Sequence, residues 1–107
     1  MNIIKFSHNW NQKIEGNPGN VFTTIRSHST EKYQYYRRLI GEKFIIELQG
    51  LAFGKAKLMS VKEVSFQSIP DELLMLDTGM TDIKEISKLF HQFGMRDIAI
   101  VLLFKKE

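Results

Sequence analysis

Apolar residues recur along this chain with two periods, and the switches between them mark out its elements. Asn2 to Phe6 reads as a first strand. Trp10 and Ile14, four apart, predict a short helix over His8 to Glu15 that Gly16 ends. Asn17-Pro18-Gly19-Asn20 is a turn signal, and a strand over Val21–Arg26 follows. Ser27 to Thr30 is polar and suits the cap of a helix from about Glu31 to Ile40, with Tyr33, Tyr36 and Ile40 on one face and Gly41 at its end.

Lys43 to Leu48 alternates, with Phe44, Ile46 and Leu48 expected inward. Gln49-Gly50-Leu51 turns the chain into a second strand that has Ala56 and Leu58 on one face and Lys55 and Lys57 on the other, so the two form a hairpin. The pattern runs on through Val61 and Val64 to Phe66, and its change of phase near Ser60 predicts a bulge. Pro70 opens a short helix over Asp71 to Leu76, which Asp77-Thr78-Gly79 is expected to break. Thr81 is the expected N-cap of a helix whose stripe is Ile83, Ile86, Leu89, Phe90 and Phe93, with Gly94 at its end. Arg96 to Lys105 closes the chain as a strand apolar enough to be buried on both faces. The order β-α-β-α-β-β-α-β predicts an α+β fold, a small mixed sheet closed into a β-barrel with flanking helices.

Composition narrows the functions open to such a fold. The chain has 107 residues, enough for one domain with one real core, and is 43% hydrophobic and 25% charged, as ordinary globular domains are. It has no cysteine, which removes disulfides and thiolate metal sites. His8, His28 and His91 lack ligand spacing, so neither a metal nor a cofactor is expected. No apolar run reaches the length of a membrane helix and no export signal is visible; a cytoplasmic protein away from the membrane is expected. The net charge of +3 permits nucleic-acid contact without arguing for it.

The strand over Val21–Arg26 carries the candidate chemistry. Residues two apart share a face, so Thr24 and Arg26 are expected side by side with Phe22 before them, while Val21, Thr23 and Ile25 face a core. Arg is a rigid fork of donors for phosphate or carboxylate. The same pattern also describes an ordinary amphipathic strand with a solvated Arg, or an Arg paired with Asp77 or Glu47.

The order and spacing of several short motifs resemble the ASCH domain family of the PUA-like superfamily. They are Gly19-x-x-x-x-Thr24-x-Arg26, Tyr33 through Gly41-Glu42-Lys43-Phe44, Gly54-Lys55-Ala56, Asp77-Thr78-Gly79 and the closing Leu103-Phe104-Lys105. Together they cover about a hundred residues. The resemblance implies a small barrel with a cleft beside its helices, and an RNA, nucleotide or nucleoside ligand. In that cleft Gly19 would permit close approach, Thr24 and Arg26 would form the floor, and Asp77 would orient Arg26 or read a base amine. Some members of the family are amidohydrolases that deacylate a modified nucleoside such as N4-acetylcytidine, using a lysine, a threonine and a carboxylate. Here Val21 stands at the lysine position, which favours binding over chemistry, unless Lys57 or Lys13 enters the cleft from elsewhere.

Aromatic residues add candidate stacking groups. Tyr33 and Tyr36 have the spacing of core residues, Tyr35 lies off that stripe and is the better candidate, and Trp10 suits either role. Lys32, Arg37, Arg38 and Lys43 form a basic group that reads either as a solvated face, diluted by Glu31 and Glu42, or as a phosphate contact. The oligomeric state is not legible in the sequence.

Overall fold

The computed structural model describes residues 2–6 and 14–107. The helix expected over His8 to Glu15, with Trp10 and Lys13, falls largely outside the described residues. Among the described residues the fold is mixed α+β, with one five-stranded sheet and three α-helices. In chain order the elements are β1 (Asn2–Phe6), β2 (Val21–Ser27), α1 (Thr30–Arg38), β3 (Lys43–Leu48), β4 (Leu51–Ser65), a 3-10 turn (Phe66–Ser68), α2 (Asp71–Thr78), α3 (Ile83–Gln92) and β5 (Ile98–Lys106). The strand order is β1-β3-β4-β5-β2, and only β1 and β3 run parallel.

The hairpin forms where the pattern places it. Gln49 and Gly50 both take positive φ (52° and 84°), the two-residue turn whose twist matches the flanking strands. The phase change in β4 is a bulge: Leu58 pairs with Phe104 but Ser60 with Leu103, which leaves Met59 unopposed. A second irregularity, between Ile46 and Glu47 of β3, has no counterpart in the expected pattern. Asn2 to Phe6 forms as expected, and β5 is buried on its inward face at Ile100, Leu102 and Phe104, whereas on the other face Ala99 is buried, Val101 and Leu103 are half-buried and Lys105 is exposed.

Two apolar clusters lie on opposite faces of the sheet. Every strand contributes to the first, through Ile4 and Phe6, Phe22, Phe44 and Ile46, Ala56 and Leu58, and Ile100, Leu102 and Phe104, with Tyr33, Tyr36 and Leu39 of α1 packed against it. The second joins Ile25 and Ala99 to Leu74 of α2 and to Ile86 and Phe90 of α3. The sheet curls around the first cluster far enough that its edge strands approach each other. Phe6 of β1 and Phe22 of β2 meet edge to face, with ring centroids 6.3 Å apart. The sheet is nevertheless not closed, for β1 and β2 are its two ends.

Five local expectations change, the first being Phe93, expected in the buried stripe of α3 but 51% exposed just past its end. The inward face of β2 is Phe22, Thr24 and Arg26, whereas Val21 is 61% exposed and Ile25 packs under the helices. Both faces of β2 thus meet a cluster, so alternation alone did not show which was the concave side. Ile40 is exposed and Leu39 packs in its place. Helix α2 continues through Asp77 and Thr78, and Gly79, at φ 75°, ends it. The cap of α3 is Asp82, not Thr81; its carboxylate accepts from the backbone N–H of Lys84 (3.0 Å) and Glu85 (3.4 Å).

Candidate functional site

Arg26 lies where the curled sheet stays open, and the strand period dictates its neighbours. Thr24, two residues back on the inward face, accepts a 3.0 Å hydrogen bond from Arg26 Nε. Across the gap, Arg26 Nη2 donates to the backbone carbonyl of Lys5 in β1 at 2.9 Å. The guanidinium carbon sits 4.8 Å from the ring centroid of Phe6, close enough for a cation–π contact. One side chain therefore spans from one edge strand to the other, and these two hydrogen bonds use only two of its five N–H groups.

Two further groups act on Arg26 through their charge. Burial lowers the Arg26 pKa, and Tyr36 and Asp77 oppose that effect by favouring the charged form. Tyr36 responds in kind: burial raises its pKa, Arg26 draws it down, and Tyr35 raises it. Asp77 is 2% exposed, although it belongs to a helix, because α2 turns this residue inward. Thr78 beside it is also buried and bonds back to the Leu74 carbonyl at 2.8 Å, the usual way to satisfy a hydroxyl inside a helix.

The structure thus joins two of the expected site residues, Thr24 and Arg26, and places Asp77 within electrostatic reach of Arg26. It adds Tyr36, whose helical spacing marked it only as a packing residue. Tyr35 is 41% exposed, and its ring meets that of Tyr36 at 5.2 Å, edge on, which leaves it at the rim. Gly19 lies apart. It precedes β2 by two residues, and Val21 to Arg26 alone rises about 16 Å. Its φ of 93° serves the turn, its N–H donates to the Lys106 carbonyl at 2.7 Å, and a Cβ there would meet nothing within 4 Å. Glu47, the other suggested partner of Arg26, is not among the groups that shift it.

The amine candidates also have defined places. Val21 is on the outward face beside Lys105 of β5. Lys57 is exposed and alternates with inward Ala56 and Leu58, so it too points away from Thr24. Lys13 lies outside the described residues. His28 pairs with Glu63 of β4 at 2.7 Å, near the ring of Tyr33. Glu63 and Arg26 both stand opposite Ile100 of β5, so this pair lies along the same row of the sheet as Arg26. In the basic group, Lys32 bonds the Ser27 hydroxyl at 2.8 Å and Arg37 covers the Tyr33 ring at 5.6 Å. Among the described residues, no three His, Asp or Glu side chains are grouped to hold a metal. No helix among them is long and apolar enough to cross a membrane.

Comparison with protein-family models, with curated proteins and with solved structures finds no match to this chain.

Proposed function

We propose that this chain is a PUA-like domain of the ASCH type whose barrel is left open between β1 and β2, and that the opening binds a nucleotide or nucleoside, free or within RNA. One observation carries the reading: Arg26 is a cation held in place before any ligand arrives. Thr24 fixes Nε, the Lys5 carbonyl fixes Nη2, and Phe6 supports the guanidinium plane. A donor fork fixed by its surroundings binds phosphate or a base edge with less loss of conformational freedom than a free one. Asp77 favours its charged form despite its burial. Tyr35, exposed at the rim, offers an aromatic surface for a base.

The hydrolytic alternative needs an amine near Thr24. Val21 has none, and Lys57 lies on the other side of the sheet. The described residues therefore favour binding over turnover.

Calorimetric titration of 5′-nucleotides, cytidine and short single-stranded RNA into the wild type and into Arg26→Lys and Arg26→Ala tests this reading. Removal of a charged hydrogen-bonding partner corresponds to about tenfold or more in affinity, and Arg26→Lys, which keeps the charge but not the fork, is expected to lie between. Equal affinity of all three proteins for every ligand would overturn the assignment. Turnover of N4-acetylcytidine by the wild type, lost in Thr24→Ala, would replace binding by catalysis.

A further inference from the structure

The outward face of the sheet carries an arrangement that the Arg26 opening does not use. Lys43 of β3 stands directly opposite Lys57 of β4, and Lys57 directly opposite Lys105 of β5. Residues directly opposite on neighbouring strands share a face, so three ammonium groups form a row across three strands, about 10 Å from end to end. Lys55 stands two residues along β4 on the same face. All four lysines are exposed.

Like charges placed opposite one another destabilise a sheet. Nearby anions compensate little. Glu107 approaches Lys43 at 3.9 Å, the outer limit of an ion pair, and Glu47 stands opposite Lys5. Helices α2 and α3 cover the other half of this face, over Ile25, Ala99 and Val101, and the lysine row lies on the half they leave open. The row ends at Val21, which is exposed opposite Lys105.

We propose that this row takes the sugar–phosphate backbone of a nucleic-acid strand. The charge is complementary, and a phosphodiester chain gains by displacing condensed counterions, which is how spaced lysines bind it. A membrane surface fits less well, since the apolar residues that flank the row, Val21 and Leu103 on one side and Ile45 and Ile3 on the other, are scattered around the lysines and include no aromatic anchor of an interfacial element. A protein partner fits less well again, because lysine is depleted from protein interfaces. This inference does not rest on the Arg26 reading: the row and Arg26 are on opposite faces.

The test is the salt dependence of binding to a short fluorescein-labelled oligouridylate. It compares the wild type, Lys43→Gln/Lys57→Gln/Lys105→Gln, and a charge-matched control on the helical side, Lys84→Gln/Lys88→Gln/Arg96→Gln. Three lost contacts lower the slope of log K against log salt by about 2, so between 50 and 200 mM salt the wild type is expected to lose roughly twentyfold more affinity than the row variant. The control should keep the wild-type slope. Because the row is a site of repulsion, the row variant is expected to melt no lower than the wild type. A slope unchanged in the row variant, or lowered equally in the control, would overturn the proposal. So would capture of the wild type by phosphatidylserine vesicles with no binding of the oligonucleotide. A lysine-dependent slope that persists in Arg26→Ala supports the row even if the cleft reading fails.

Discussion

The two faces of the sheet treat positive charge in opposite ways. On the concave side one guanidinium has two hydrogen bonds, an aromatic support and a buried carboxylate acting on it. On the convex side the row of three ammonium groups has, among the described residues, one carboxylate at the limit of an ion pair, that of Glu107, 3.9 Å from Lys43. A charge taken out of water must be compensated where it sits, whereas a charge left in water is screened and needs no fixed partner. The inner cation is therefore part of the fold as well as of any site, and the outer ones are free to serve a ligand alone. Substitution should separate these two cases.

The largest effect is expected at Arg26. It ties β2 to β1 across the open side of the sheet through its bonds to Thr24 and the Lys5 carbonyl, and it acts electrostatically on buried Asp77. Hydrogen bonds made by a charged group are worth about 1.5–3 kcal/mol each; because Arg26 is only partly buried, losing both should cost Arg26→Met about 2–3 kcal/mol in denaturant unfolding. The row variant on the convex face should cost nothing. If Arg26→Met were as neutral as the row variant, the inner cation would be no more integral to the fold than the outer ones.

Thr24 sharpens the same contrast within one face. It is 4% exposed, and its hydroxyl is the acceptor that orients Arg26 Nε. Thr24→Val keeps the shape and β-branching but removes the acceptor, which should cost about 1–2 kcal/mol, whereas Thr24→Ser should restore most of the loss. Thr23, the half-buried neighbour on the outward face, has no such partner role, so Thr23→Val should stay within about 0.5 kcal/mol. Equal effects at the two threonines would mean that the hydroxyl of Thr24 does not hold Arg26.

This contrast was only half legible in the sequence. The β3–β4 hairpin could be read because Gln49-Gly50 has the required turn chemistry and because the outward face of its strands is mostly charged, with Lys43, Glu47, Lys55 and Lys57 around Ile45. The Ser60 phase change was visible for the same reason. In β2 both faces are partly apolar, and Phe22 and Ile25 belong to different clusters. Alternation showed that Thr24 and Arg26 lie together but not that they point into the concave side. Tyr36 was missed as an electrostatic partner because helical spacing describes its ring and is silent on its hydroxyl. Asp77 was placed in a loop because Asp-Thr-Gly resembles a turn; its burial arises from the tertiary position of α2. The lysine row needed the pairing register, which joins residues far apart in sequence.

The smallest effect concerns Tyr36, and it tests whether Arg26 and α1 share one electrostatic unit. Burial raises the Tyr36 pKa above its ordinary value of 10.0, and Arg26 lowers it. Between that ordinary value and the raised one, the folded chain keeps a proton that the unfolded chain has shed. Stability therefore falls as pH rises through this window, and the contribution is fully present below pH 10. Tyr36→Phe has no such proton, so the stability difference between wild type and variant should be flat below about pH 9 and should change in the variant's favour above pH 10. Tyrosinate absorbance should show one late-titrating group in the wild type that is missing from Tyr36→Phe. In Arg26→Met that group should titrate later still, since the cation that favours the phenolate is gone. If its titration did not move, Arg26 would not act on Tyr36, and the concave cluster would reduce to Arg26 with Thr24 and Asp77.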